Sequence, residues 1–212
     1  AQQYYDSLGL SFLWDEGVHP LLDAIPADVN PMAFWAAGKL YALSAMPSPC
    51  VMIDTDFICW KPLESLLAGL DAAAIHREDI MPDIYPDAQA FTQTYGFDFT
   101  SLDWTVQPFN TALCYLADDA FRRYYTDMSI RFIRCSPNAD DVLTYMVFAE
   151  QRLLAMCAAR KGIRAAALSD LEALFTGVQQ GYFTHIWGFK QQMRDEPALY
   201  DDFCRRCAAR LK

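Results

Sequence analysis

Two aspartates separated by one residue, Asp54 and Asp56, directly follow the short apolar run Cys50-Val-Met-Ile53. Side chains at positions i and i+2 of an extended segment point the same way, so both carboxylates can converge on one ligand. Ligands of α/β proteins bind at the carboxyl edge of the sheet, where a strand over 50–53 would place this pair. Two carboxylates there would form a hard-oxygen site for Mn²⁺ or Mg²⁺. A turn closed by the aspartate side chains is the alternative interpretation.

The Asp54-Thr-Asp56 segment needs a strand to position it, and the alternation of short apolar runs with helical patterns predicts an α/β layered fold. We expect segment 50–58 to be a central strand that is buried on both faces, because 50–53 is continuously apolar. Further strands are predicted at 72–76, 111–116 and 163–168. Helices are predicted at 34–46, from Pro62, from Asp118, at 140–161 and at 197–212. No repeat, low-complexity tract or Gly/Ser linker divides the chain, so residues 1–212 are predicted to form a single domain.

Two less regular regions also contain candidate residues. Between 78 and 107 the chain is rich in proline, aspartate and aromatic residues without clear period, which predicts a long surface loop. The segment 181–188 is turn-rich and aromatic, and its His185 is either a metal ligand or an imidazole packed among aromatic neighbours. His76 lies at the end of a predicted strand, and we assign it a structural role.

The charge balance excludes several classes of partner. The chain has 17 Lys and Arg against 27 Asp and Glu, a formal net charge of −10. Such a surface repels polyphosphate, so we expect no general binding of nucleic acid or of anionic membranes. One phosphate-bearing small molecule remains compatible with this charge, because a bound divalent cation inverts the local field.

The cysteine content indicates a reducing compartment. Seven cysteines are an odd number, and they are scattered mostly among apolar neighbours, which argues against a disulfide framework. No apolar run reaches the ~18 residues needed to span a bilayer. We therefore expect a cytoplasmic protein without a transmembrane segment, with all seven cysteines reduced.

A series of motifs along the chain resembles the DxD glycosyltransferases of GT-A fold. The predicted helix containing Phe34-Trp-Ala-Ala-Gly-Lys39 is followed by the apolar strand, by Asp54-Thr-Asp56 and by a helix that starts with proline. The pattern is most similar to bacterial members near the glycogenin and lipopolysaccharide-galactosyltransferase group and the DXD-type mannosyltransferases. The resemblance spans about residues 35–190 and implies a mixed sheet flanked by helices. It also implies hexosyl transfer, with retention favoured over inversion, from a nucleotide-diphospho-sugar to a carbohydrate or glycoconjugate acceptor.

Two motifs in the middle of the chain extend this resemblance. Asn110-Thr-Ala-Leu resembles the family's Asn-centred strand motif that contacts the sugar, with Ala112 in place of the usual glycine. Glu150-Gln151 resembles the acidic-Gln pair near the donor sugar. The implied role of Asn110 and Glu150 is to orient the sugar, and a helix carboxylate with internal partners is the alternative for Glu150.

A late motif supplies the third metal ligand that the resemblance implies. His185-Ile-Trp-Gly188-Phe-Lys190 is similar to the family's HxxGxxK element, although Lys190 follows Gly188 by two residues rather than three. In that element the histidine binds the metal, and the glycine and lysine approach the diphosphate. The resemblance therefore implies that Asp56 and His185 bind Mn²⁺ or Mg²⁺ directly, with Asp54 on the metal, the ribose or a sugar hydroxyl.

The resemblance also implies roles for residues upstream of the aspartates. Lys39 matches a basic residue near the donor phosphates or sugar, with a solvated helix position as the alternative. Trp35 is a candidate sugar contact, with a core position as the alternative. The implied catalytic residues are Asp54, Asp56 and Glu150; the implied substrate contacts are Trp35, Lys39, Asn110, Gln151, Gly188 and Lys190; the implied metal ligands are Asp54, Asp56 and His185.

The chain departs from the family pattern at its beginning. The resemblance implies a first strand, with the nucleotide-base site, well upstream of the DxD motif, but the 53 residues before Asp54 do not start with such a pattern. A truncated chain, a disordered segment or an incomplete nucleotide site would each account for its absence. The competing hypothesis is a non-catalytic GT-A-like subunit that binds or assembles with a partner. A metal-dependent hydrolase is disfavoured because too few ligands are apparent for a two-metal site.

Overall fold

The computed structural model describes residues 2–10, 12, 15, 17, 19–176 and 181–210. The strands are β1 (Cys50–Ile53), β2 (Phe57–Cys59), β3 (Ala72–Ala74), β4 (Leu113–Leu116), β5 (Ala165–Ala167) and β6 (Phe183–His185). The α-helices are α1 (Gln2–Ser7), α2 (Ala37–Ala45), α3 (Glu64–Leu67), α4 (Asp119–Arg134), α5 (Thr144–Val147), α6 (Leu153–Lys161), α7 (Leu171–Thr176), α8 (Phe189–Asp195) and α9 (Pro197–Arg210). A π-helical turn, Phe148–Arg152, joins α5 to α6, and short 3₁₀ helices cover Leu21–Ala24 and Ala88–Ala90.

Four strands form a mixed sheet in the order β1-β4-β3-β5. Strand β4 is antiparallel to both of its neighbours, whereas β3 and β5 are parallel. Strands β1, β3 and β5 therefore run in the same direction, and their carboxyl ends meet at one edge of the sheet. The segment that enters β4 lies at that same edge, so residues after β1, after β3 and before β4 are brought together.

Helices α2, α4 and α6 form a packed layer beside this sheet. The side chain of Asp118 accepts a hydrogen bond from the backbone N–H of Phe121 at 2.8 Å, which is the usual N-cap arrangement and begins α4. Phe121, Tyr125 and Phe132 are spaced to share one helix face, and all three are buried. Helix α2 packs on α4, and α4 packs on α6 and on β4. The architecture is mixed α/β, with a mixed sheet flanked by helices.

The segment 78–107 contributes to the hydrophobic core, so the expectation of a surface loop is wrong for its aromatic side chains. Phe91 and Phe97 are both buried within the main core. The ring centroid of Phe91 lies 4.6 Å from that of Phe148 and 5.4 Å from that of Phe132. Burial of large aromatic surface holds the segment in place. Because the backbone of this segment is irregular, its buried side chains do not recur at a fixed spacing. The sequence pattern therefore did not reveal their burial.

Strand β1 lies at an edge of the sheet, in contrast to the central position expected for 50–58. Among the described strands β4 is its one neighbour, and Val51 and Ile53 are 40% and 45% exposed. Burial on both faces is therefore wrong as well, because alternate side chains of β1 point outward. The chain also leaves this sheet after Ile53, since β2 pairs with β6 in a separate two-stranded sheet.

The predicted helices lie at the expected positions, but their lengths differ from the predicted ones. The helix predicted at 34–46 is regular only over Ala37–Ala45. The helix predicted at 140–161 begins at Thr144 and is interrupted by the π-helical turn Phe148–Arg152. Helix α9 covers Pro197–Arg210, and residues 211–212 of that prediction lie outside the described residues.

Three other expectations concern the chain as a whole. All seven cysteines lie in described residues and are free thiols. Within the residues described above, none of the helices has the length and apolarity required to cross a membrane. The described residues before Cys50 form α1, a 3₁₀ helix and α2 but no strand.

Candidate functional site

Asp56 and His185 are brought together by the small β2-β6 sheet. Phe57, the first residue of β2, pairs with His185, the last residue of β6. The backbone N–H of Ile186 donates to the carbonyl of Asp56 at 3.0 Å, which extends the pairing by one residue beyond the sheet. The two residues are 129 positions apart in the sequence. The pairing of β2 with β6, rather than the DxD motif alone, therefore brings them into contact.

Asp54 joins this pair from the end of β1. Its backbone N–H donates to the carbonyl of Ala112 at 2.8 Å, which holds it against the segment that enters β4. One ligand atom each from Asp54, Asp56 and His185 lies within 4.8 Å of the other two, and all three residues are half-buried. Two carboxylate oxygens suit Mn²⁺ or Mg²⁺, and the imidazole nitrogen favours Mn²⁺ of the two because Mg²⁺ prefers oxygen ligands, so the residues present fit Mn²⁺ best.

The histidine of this cluster is suited to bind a metal. Burial lowers the pKa of His185 below its usual value, and the attraction of Asp56 and Asp54 only partly opposes the shift. The imidazole is therefore neutral near neutral pH, which is the form that donates a lone pair to a metal. Its Nε2 atom lies 3.7 Å from Oδ2 of Asp56.

Each aspartate also forms an ion pair with a lysine. Nζ of Lys190 lies 2.7 Å from Oδ2 of Asp56, and Nζ of Lys39 lies 2.6 Å from Oδ1 of Asp54. Burial alone would raise the pKa of Asp56, but Lys190 and His185 outweigh it and the pKa lies below its usual value. The two predicted lysines therefore lie at the carboxylate pair, where they place positive charge beside a prospective anionic ligand.

Lys39 also binds Glu150, which the π-helical turn brings to the same place. Nζ of Lys39 donates to Oε1 of Glu150 at 2.5 Å, and the hydroxyl of Thr111 donates to the same oxygen at 2.8 Å. Burial lowers the pKa of Lys39, but attraction to Glu150 and Asp54 outweighs it, so the pKa is raised and the ammonium stays charged. Glu150 is only 1% exposed. It therefore acts on the site through Lys39.

The π-helical turn is fixed by a hydroxyl from α4. The phenol of Tyr125 donates to the backbone carbonyl of Glu150 at 2.6 Å, and Tyr125 is fully buried. A π-helical turn leaves carbonyls without their usual helical partners, and such turns are frequent at functional sites. Tyr125 donates a hydrogen bond to one of these carbonyls, and this bond holds Glu150 within hydrogen-bonding distance of Lys39.

Asn110 lies at the same sheet edge, whereas Gln151 is held by a different partner. Asn110 donates from Nδ2 to Oε1 of Glu78 at 3.1 Å, and its Oδ1 accepts from the backbone N–H of Ala112 at 3.2 Å. The phenol of Tyr85 donates to Oε1 of Gln151 at 2.5 Å. The side-chain oxygen of Gln151 is thus already hydrogen-bonded to a residue of the segment 78–107.

Two of the predicted substrate contacts, Trp35 and Gly188, form no hydrogen bond with the cluster among those seen in the described residues. Trp35 is 56% exposed, so the core alternative is wrong, and its indole N–H donates to the carbonyl of Val142 at 3.0 Å. Gly188 immediately precedes α8, and a Cβ atom placed there would meet no atom within 4 Å. No packing contact with the described residues therefore requires a glycine at position 188.

The sequence analysis did not place His76 and Glu78 at this edge of the sheet, although a signal for their position was available. The two residues stand at i and i+2 and begin one residue after the end of β3, whereas Asp54 and Asp56 begin directly after β1. Since β1 and β3 run in the same direction, the same argument places both pairs at one sheet edge. Thr111 and Tyr125 gave no comparable signal, because their roles depend on the position of the π-helical turn.

No protein-family model, curated protein or solved structure shows significant similarity to the chain. The fold and the site define the chain as a mixed α/β protein with a carboxylate-histidine cluster at one edge of its sheet.

Proposed function

We propose that the chain is a metal-dependent glycosyltransferase of GT-A fold that uses a nucleotide-diphospho-sugar. The observation that carries this proposal is the convergence of Asp54, Asp56 and His185 within 4.8 Å, from two different sheets. A motif match in sequence does not by itself require these side chains to meet. The mixed sheet flanked by helices is compatible with this class of fold.

Asp54, Asp56 and His185 would hold Mn²⁺ or Mg²⁺. A divalent cation at this position neutralises charge on the diphosphate leaving group, which is Lewis-acid catalysis. Lys190 and Lys39 lie against the same carboxylates and add positive charge for the donor phosphates. Asn110 would orient a sugar through its hydroxyl groups, while Glu150 positions Lys39. The transfer proposed is of a hexose, with retention at the anomeric carbon, to a carbohydrate or glycoconjugate.

The alternative is a non-catalytic GT-A-like subunit that binds or assembles with a partner. It is favoured by one observation: Ala112 stands in the sheet-edge motif at the position where the resembled family has glycine. Under this alternative the metal cluster would persist without donor binding. Nucleotide binding therefore separates the two functions.

The direct test is turnover of nucleotide-sugars. Hydrolysis and transfer would be measured with UDP-, GDP-, CDP- and ADP-hexoses, with Mn²⁺ and with EDTA in its place. The Asp56→Asn variant should lose turnover and keep its fold, whereas the control Asp127→Asn, which alters an exposed carboxyl of α4, should keep both. Unchanged turnover in Asp56→Asn, or turnover that persists in EDTA, would overturn the proposal.

A further inference from the structure

A second polar group lies next to the metal cluster, at the carboxyl end of β3. Oε1 of Glu78 accepts from the amide of Asn110 at 3.1 Å and lies 3.8 Å from Nε2 of His76. Asn110 in turn accepts from Ala112, whose carbonyl accepts from the N–H of Asp54. Two hydrogen bonds, both made by the backbone of Ala112, therefore connect Asn110 of this group to Asp54 along the sheet edge.

His76 has an unpaired acceptor that faces this group. The side chain is completely buried, and its Nδ1 lies 3.0 Å from the carbonyl of Arg77, which places the proton of a neutral ring on Nδ1. Nε2 then has a lone pair but no hydrogen-bond partner among the described residues. Buried polar atoms nearly always have partners, so an orphan of this kind points to a ligand.

The donors and acceptors in this group match a pair of sugar hydroxyls. In the neutral ring, Nε2 of His76 is an acceptor without a donor, and the carboxylate of Glu78, which already accepts from Asn110, has lone pairs left for a second donor. Vicinal hydroxyl groups supply two O–H donors, and their oxygens can accept from the amide of Asn110. A single water molecule can bridge the same two acceptors, which lie 3.8 Å apart, so binding of glycosides and of their deoxy analogues is what separates a diol site from a buried water.

Trp187 adds an aromatic surface beside these polar groups. Its ring centroid lies 6.3 Å from that of His76 and 6.3 Å from that of His185, and the side chain is 40% exposed. Its φ of 39° is uncommon for a residue other than glycine, and such strain gathers at ligand sites. The exposed part of the indole can pack against the apolar face of a sugar ring, beside the buried imidazole of His76.

We propose that Glu78, Asn110, His76 and Trp187 form a subsite for the vicinal hydroxyls of a neutral sugar, the acceptor of the transfer. The assignment as acceptor rests on the proposed glycosyltransferase function, and charge supports it. The described residues give Glu78 no ion pair with a lysine or arginine, in contrast to Asp54 and Asp56. A carboxylate without a lysine or arginine beside it disfavours a diphosphate, so a neutral sugar is favoured here over the charged donor.

The test uses methyl glycosides of glucose, galactose, mannose and N-acetylglucosamine, with nucleotide and metal left out. Binding would be measured by saturation-transfer NMR and titration. We expect at least one glycoside to bind the wild-type chain and its deoxy analogue, which lacks one hydroxyl of the diol, to bind at least tenfold more weakly. Glu78→Gln should weaken binding at least tenfold, which is the effect of losing one hydrogen bond to a charged group. Glu64→Gln, which alters an exposed carboxyl of α3, is the matched control and should bind normally.

Trp187→Ala provides a second variant that leaves the buried polar groups intact. It should fold and should also lose at least tenfold in affinity, so a folding defect in Glu78→Gln would not end the test. The proposal is overturned if the wild-type chain binds none of the glycosides, or if Trp187→Ala and any folded Glu78→Gln bind as the wild type does. If glycosides bind but no nucleotide-sugar is turned over, the sugar subsite stands and the glycosyltransferase proposal fails.

Discussion

The ammonium group of Lys39 lies 2.5 Å from the carboxylate of Glu150, although 111 residues separate them along the chain. The same ammonium lies 2.6 Å from Asp54, so one cation binds a carboxylate from the end of β1 and another from the π-helical turn. This relationship connects the helical layer to the carboxylate-histidine cluster of Asp54, Asp56 and His185. It also explains how a nearly completely buried glutamate is accommodated, since a buried charge requires a close partner.

Replacing Lys39 with methionine should destabilise the fold, because it leaves Glu150 buried without its cation. Breaking a buried pair costs about 3–5 kcal/mol. We expect about 3 kcal/mol here, because 21% of the Lys39 side chain is exposed and solvent screens part of the interaction. Urea unfolding would measure the loss in the free energy of unfolding.

Two further variants show whether the pair itself is responsible. The double variant Lys39→Met, Glu150→Gln should recover much of the stability, because the uncompensated charge is removed. The control Lys61→Met alters an exposed lysine and should change stability by less than about 0.5 kcal/mol. An equal loss in the single and double variants would refute this account of the pair.

Removing the hydroxyl of Tyr125 should also be costly. Tyr125→Phe leaves the carbonyl of Glu150 buried without the donor it has at 2.6 Å, at an expected cost of about 1–3 kcal/mol. Tyr95→Phe is the control, because Tyr95 is 63% exposed. Thermal or urea unfolding of the two variants would be compared, and the prediction fails if Tyr125→Phe is as stable as Tyr95→Phe.

The start of α4 provides a local test of the helical layer. Asp118→Ala removes the side chain that accepts from Phe121 and should cost about 0.5–2 kcal/mol. Asp127→Ala removes an exposed carboxyl from the same helix without a cap and should be close to neutral. Circular dichroism during urea unfolding measures both, and equal stabilities would show that Asp118 does not cap the helix.

The cysteines should differ sharply in their reaction with a thiol reagent. Burial raises the pKa of Cys157 to about 12, whereas Cys204 is exposed. Because the thiolate is the reacting form, raising the pKa from 9 to about 12 lowers its fraction about a thousandfold near pH 8. We expect fast modification of Cys204 and protection of Cys157 in the native protein, with all seven thiols reacting in denaturant. Rapid native modification of Cys157, or fewer than seven thiols, would contradict this.

The same shift sets the sign of one pH effect. The pKa of Cys157 is higher in the folded chain than in the unfolded chain, so the folded state holds its proton more tightly. This contribution to stability is complete below about pH 9 and is lost as the pH rises towards 12. Replacing Cys157 with alanine should therefore reduce the fall in stability over this range, measured by urea unfolding at several pH values.

The elements around the metal cluster could be predicted largely from local patterns. The strand at Cys50–Ile53 and the start of a helix at Asp118 were predicted because an apolar run and an aspartate before a helical pattern are short-range signals. The edge position of β1 could not be found in the same way, because strand order depends on contacts between distant segments. An apolar run predicted burial on both faces, but Val51 and Ile53 point outward.

The candidate site was predictable only where residues fall in motifs. Asp54, Asp56 and His185 were named from the sequence, but their convergence depends on the β2-β6 pairing, which no local pattern indicates. Glu150 was placed on a regular helix, and the π-helical turn that positions it depends on the hydrogen bond from Tyr125. Tertiary contacts of this kind leave no period in the sequence.

The central claim is that Asp54, Asp56 and His185 hold a cation that bridges a nucleoside diphosphate. Metal and nucleotide should then strengthen each other's binding, because such coupling is reciprocal. A ligand at about 100 times its Kd stabilises the fold by about 2.7 kcal/mol, and each kcal/mol raises the Tm of a chain of this size by about 2–4 °C.

Thermal unfolding with UDP, GDP, CDP or ADP in the presence of Mn²⁺ tests this claim most directly. We expect one nucleotide with Mn²⁺ to raise the Tm by about 5–10 °C, more than either component alone. Asp56→Ala should lose the metal-dependent part of the shift while Asp127→Ala retains it. If no nucleotide with Mn²⁺ raises the Tm beyond the effect of its separate components, the claim is contradicted and the non-catalytic subunit becomes the better account.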